Sequence, residues 1–113
     1  MILPIRKADQ FIADFERQFR WYDRQAGWNV ARRFLFSVDH ILERLAKQPD
    51  LGRVRHFSQS ELLGLRSLSL DRPFNRHLVF YRIAQTDIEA WLLMHGARDL
   101  PRRLLESPES ERP

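Results

Sequence analysis

The sequence predicts an α+β domain: an N-terminal strand and an antiparallel helical hairpin packed on a three- to four-stranded antiparallel sheet, followed by a short C-terminal helix. Three observations predict it. Apolar residues recur at steps of three and four from Ala8 to Leu45, the step drops toward two after Gly52, and Gly27 interrupts the helical pattern midway. The 113 residues, 43% of them hydrophobic, suffice for one core. Residues 1–105 therefore read as one domain, and the polar, proline-bearing 106–113 as a disordered tail.

Ile2 to Arg6 offers a short strand at an edge or beside a later hairpin. Ala8, Ile12, Phe15, Phe19, Tyr22 and Ala26 then share one helical face, with Asp9, Asp14, Glu16, Arg17, Arg20, Asp23 and Arg24 between them. Beyond Gly27 a wider stripe runs through Ala31, Phe34, Leu35, Val38, Ile41, Leu42 and Leu45, with Asn29 as the expected N-cap and Pro49 and Gly52 as the stop. So short a break folds the two helices against each other over residues 8–47. Trp21 and Trp28 flank that turn and are expected to cover it.

The period then changes. Arg53 to Phe57 alternates loosely and Leu63 to Leu70 alternates better, with Arg66, Leu68 and Leu70 on one side. Arg76 to Ile83 and Ile88 to His95, joined by Ala84-Gln85-Thr86-Asp87, predict a β-hairpin of central strands. Leu78 and Phe80 form one of its alternating sets, and Val79, Tyr81 and Ile83 the other. Asp99 is placed to cap a short helix from Leu100 to Leu105, with Pro101 in its first turn.

Composition narrows the chemistry. Cysteine is absent, which removes disulfides, thiolate catalysis and cysteine-based zinc sites, and no cofactor or metal motif is present. No apolar run approaches the roughly 18 residues of a membrane span, so the expected location is the cytoplasm. The net charge is +4, and among 19 basic residues only Lys7 and Lys47 are lysines. Residues 51–105 carry 9 basic and 5 acidic side chains, whereas 106–113 are net acidic. An arginine-rich half suits an anionic partner, either nucleic acid or an acidic protein segment, because the guanidinium pairs bidentately with phosphate or carboxylate. Arg66, Arg76, Arg82 and Arg98, each on or at the end of an expected strand, form the candidate site, and Arg66 and Arg82 are expected to project from one sheet face. His77 and His95 should approach each other where the last strands pair; a histidine there is either a partly buried sheet residue or an acid or base acting on RNA.

The order and spacing of several short segments resemble the RelE/ParE superfamily of type II toxin-antitoxin toxins, most closely its ParE-like, plasmid-stabilisation branch. The segments are Ala13-Asp14, Trp21-Tyr22, Ala31-Arg32-Arg33-Phe34, Leu45, Pro49-Asp50-Leu51-Gly52, Gly64-Leu65-Arg66, Pro73-Phe74, His77-Leu78-Val79-Phe80-Tyr81-Arg82 and His95-Gly96-Ala97-Arg98-Asp99. The resemblance implies a cytoplasmic bacterial toxin that arrests growth by protein–protein inhibition of DNA gyrase and is held in a complex by a ParD-like antitoxin. The RelE-like alternative is an mRNA endoribonuclease on the ribosome, for which Arg66, Arg82, His77 and His95 are the candidate catalytic residues. Such enzymes often use a C-terminal tyrosine and basic residues that include lysines. Here the tyrosines are Tyr22 and Tyr81 and no lysine follows Lys47, which favours the non-enzymatic branch. A third reading is an inactive remnant that keeps the fold. Under either toxin reading, Arg66→Glu with Arg82→Glu is expected to weaken antitoxin binding with the fold intact.

Overall fold

The structure, a computed structural model, describes residues 2–58 and 60–96, Glu61 by its backbone alone. Helix α1 (Asp9–Ala26) opens with Asp9 in its first turn, where a carboxylate meets the positive end of the helix dipole. Gly27 ends it at φ +92°, a conformation that side chains resist, and its N–H donates to the carbonyls of Tyr22 and Asp23. The same glycine's carbonyl accepts from Ala31 N–H, so helix α2 (Trp28–Lys47) begins at once. Gly27, not Asn29, is therefore the cap, because one left-handed residue makes the whole turn. Trp21 and Trp28 flank that turn but leave it uncovered, each remaining more than half exposed.

Five strands form one sheet: β1 (Ile5–Lys7), β2 (Arg53–Val54), β3 (Leu65–Ser69), β4 (His77–Ile83) and β5 (Ile88–His95), in the order β1-β5-β4-β3-β2. The sheet is mixed, not three- to four-stranded and antiparallel. β1 lies parallel to β5 with Ile5 beside Ile88, while the other neighbours are antiparallel. Nearly the whole chain separates β1 from β5, so no tight turn forces them to run in opposite directions. The loose alternation after Gly52 yields strand only at Arg53–Val54. The expected helix from Leu100 and the tail lie outside the described residues.

Both sheet faces are covered, which explains the near-continuous apolar runs of β4 and β5. Phe11, Phe34, Val38, Ile41 and Leu45 of the helices bury one face against Val79, Tyr81, Ile88, Ala90 and Leu93. On the far face Leu65, Phe80 and Leu92 pack with Leu62 from the connection before β3, flanked by Phe57, Leu78, Trp91 and Met94.

Beyond Ala90, β5 outruns the three residues of β1, and α1 completes its edge. Asp14 accepts the Leu93 N–H at 3.2 Å and Gln18, one turn on, donates to the Leu93 carbonyl at 2.8 Å. The Asp14 carboxylate is buried and is also held by Arg17 at 2.6 Å. Replacing Asp14 by Ala leaves the Leu93 N–H buried and unpaired, so Asp14→Ala is expected to cost about 2 kcal/mol in urea unfolding, and an unchanged midpoint would contradict this role.

Candidate functional site

Register decides which arginines share a face. Arg66 lies opposite Tyr81, and Leu65 opposite Arg82, so Arg66 sits on the helix side and Arg82 on the far side. The expected single face for this pair is thereby corrected.

Arg66 is occupied by the backbone: it donates to the carbonyls of Gly52 at 2.9 Å and Asp50 at 3.2 Å. Beside it the buried Tyr81 hydroxyl accepts the Gly52 N–H at 2.8 Å and donates to the Pro49 carbonyl at 2.7 Å. Burial pushes the Tyr81 hydroxyl above its usual value, which keeps it protonated and able to donate. Together the two side chains pin the segment Pro49 to Gly52 to the sheet.

The far face gathers different cations. Arg53 lies opposite Ser67, and Arg55 donates to the Ser67 hydroxyl at 2.7 Å while its guanidinium stands 5.7 Å from the Phe80 ring centroid. Burial, and then the charge of Arg53, lowers Arg55 from the usual arginine value. Between Phe80 and Tyr81 the register shifts, leaving Trp91 without a partner on β4 and on the same face as Leu92. The Arg82 guanidinium stacks 5.1 Å from its centroid. In the same row Arg6 bonds Glu89 at 2.8 Å and Asp87 at 3.1 Å, and these two partners raise the Arg6 pKa. Arg53 and Arg55 were absent from the sequence-based site, although the alternation Arg53-Val54-Arg55 carried their common direction. Arg76 is exposed just before β4, its carbonyl accepting the Gly96 N–H, and Arg98 lies outside the described residues.

His77 and His95 do meet, as directly opposed residues with ring centroids 4.8 Å apart, on the helix side of the sheet. His77 is buried, its Nε2 lies 2.8 Å from the Tyr22 hydroxyl, and Phe34 packs on it at 4.8 Å. Burial, reinforced by His95, lowers its pKa to about 4, so it is neutral at physiological pH. A cavity of about 120 Å³ lies at this point, lined by Gln18, Trp21, Tyr22, His77 and His95. The four residues of the ribonuclease alternative thus fall in three places: Arg66 on the Pro49–Gly52 segment, Arg82 on the far face, and the histidines against α1.

Residues 5–100 match the family model described as the ParE toxin of the type II toxin-antitoxin system, parDE. The chain belongs to the ParE toxin family. A solved structure from the chromosomal ParDE toxin-antitoxin system of P. aeruginosa is similar in fold, with a TM-score of 0.69 and 16% identity over 85% of this chain and 98% of that one. No curated protein matches the chain. Several segments that carry the ParE resemblance have structural roles: Pro49 to Gly52 is the pinned segment, Phe74 packs on Phe34 and Tyr22, and Asp14 closes the β5 edge. Among the described residues no helix is long and apolar enough to cross a membrane, and no group of three or more potential ligands could hold a metal ion.

Proposed function

We propose that this ParE-family toxin acts in the cytoplasm, arrests growth by binding DNA gyrase, and is neutralised in a complex with a ParD-like antitoxin. The observation that carries the reading is the separation of Arg66, Arg82, His77 and His95. RNA cleavage needs a base at the 2′-hydroxyl and cations at the phosphate within hydrogen-bond reach of one another. With one arginine bound to carbonyls and a histidine neutral under α1, that set does not converge. The far-face arginines, backed by Phe80 and Trp91, instead make the kind of surface that protein interfaces favour, rich in arginine and aromatic rings.

The test is incubation of the purified toxin with gyrase and supercoiled plasmid. Linear plasmid covalently attached to gyrase is the expected product. Arg53→Glu with Arg82→Glu should raise the toxin concentration needed at least tenfold while circular dichroism stays native. Equal potency of that variant would remove the far face from the reading, and cleavage of ribosome-bound mRNA by the wild type would replace the reading altogether.

A further inference from the structure

A second surface lies on the opposite side of the molecule. Arg33, Phe36, Ser37 and His40 fall at spacings of three and four along α2, so they share one face of the helix. Against them stands the turn between β3 and β4, contributing Arg72, Pro73 and Phe74, and the space between is a groove of about 310 Å³. The turn is fixed in place: Phe74 N–H donates to the Asp71 carbonyl at 2.9 Å, His77 N–H donates to the Phe74 carbonyl at 3.0 Å, and the Phe74 ring stands edge-on to Phe34 and Tyr22. The groove is thus formed before anything binds.

Its chemistry is specific. Phe74 forms a buried floor, and Phe36 stands beside it 59% exposed, a large ring left in water. Arg33 and Arg72, one on each wall, make no ion pair with any described residue. Asp71, the residue before Arg72, has its carboxylate 3.7 Å from both Arg44 and His40. We propose that this groove docks an acidic peptide segment of a protein partner, with one aromatic or branched apolar side chain seated between Phe36 and Phe74 and a carboxylate on either side paired with Arg33 and Arg72. Charge complementarity selects that occupant. Arginine forks match carboxylates placed at two points, and a short acidic peptide can end there, whereas a nucleic-acid strand, charged at every residue, would continue along α2 past Asp39 and Glu43, both exposed and of its own charge. The surface is separate from the far-face arginines, so the inference stands or falls independently of gyrase.

The experiment uses the full chain and a fluorescein-labelled peptide with the core Asp-Glu-Phe-Glu-Asp, read by anisotropy, with amide shifts in ¹⁵N spectra locating the contact. Saturable binding is expected, with shifts at Arg33, Phe36, Ser37, Arg72 and Phe74. Affinity should fall at least tenfold in Arg33→Glu with Arg72→Glu, in Phe36→Ala, and for the amide peptide Asn-Gln-Phe-Gln-Asn. Both arginines are exposed and pair with no carboxylate among the described residues, so these variants should keep native circular dichroism. Four results would overturn the proposal: no saturable binding, equal binding of the amide peptide, displacement of the peptide by single-stranded DNA with the same dependence on Arg33 and Arg72, or a dimer of this chain that Phe36→Ala dissociates.

Discussion

Gly52→Ala is expected to destabilise the protein by about 3 kcal/mol or more, among the largest effects of any single methyl group in the chain. A Cβ built on Gly52 falls 2.6 Å from Cε1 and 2.9 Å from Cζ of Tyr81, and nearer still to its hydroxyl. The ring cannot retreat, because Tyr81 is fully buried in the helix-side core and its hydroxyl bridges Gly52 N–H and the Pro49 carbonyl. Either the ring leaves its rotamer or the Pro49–Gly52 segment lifts from the sheet, and lifting also strips Arg66 of its carbonyl partners. A domain of this size commonly has about 5–15 kcal/mol to lose, so the midpoint of thermal unfolding should drop by roughly 10 °C or more. Tyr81→Phe removes the hydroxyl but keeps the ring, so it should cost less, and the double variant should be less destabilised than the two effects added. A Gly52→Ala protein as stable as wild type would show that the segment is not held as described.

The second large effect is expected in acid. His77 folds neutral, with a pKa lowered to about 4 from the ordinary 6.5, so the unfolded chain binds the proton more readily. Stability contributed by the neutral imidazole is complete above about pH 6.5 and drains away as the pH falls toward 4, reaching about 3 kcal/mol. Protonation would place a cation beside His95 and against Phe34 and Tyr22, where nothing anionic among the described residues lines the pocket. Urea unfolding of wild type and His77→Gln across pH 7 to 4 separates this loss from that of the carboxylates. The wild-type curve should fall more steeply through that window, and parallel curves would contradict a buried neutral His77.

The helical hairpin was legible because Gly27 divides two amphipathic stripes, and the β-hairpin because two apolar runs flank a four-residue turn. The meeting of His77 with His95 followed from that pairing alone. What could not be read was the face of each arginine. Leu68 and Leu70 share parity with Arg66, and Leu78 and Phe80 share it with Arg82, yet both sets are apolar because both sheet faces are covered. No polar face marked the outside, and the register between β3 and β4 decides the matter by a single residue. The grip of Tyr81 on Gly52 was hidden for another reason: it joins residues 29 positions apart through one hydroxyl, and neither periodicity nor composition records such a contact. The parallel pairing of β1 was hidden likewise, in three residues too few to carry a pattern.

Gyrase is the proposed target of this ParE-family toxin. Pulse labelling of DNA and protein synthesis within minutes of inducing the chain alone in bacteria tests it most directly. Gyrase poisoning should give an early fall in DNA synthesis with induction of the damage response while translation continues. An immediate fall in translation with mRNA cut at codons would contradict it in favour of a ribosome-dependent nuclease, and undisturbed growth at full expression would mark the chain as an inactive remnant.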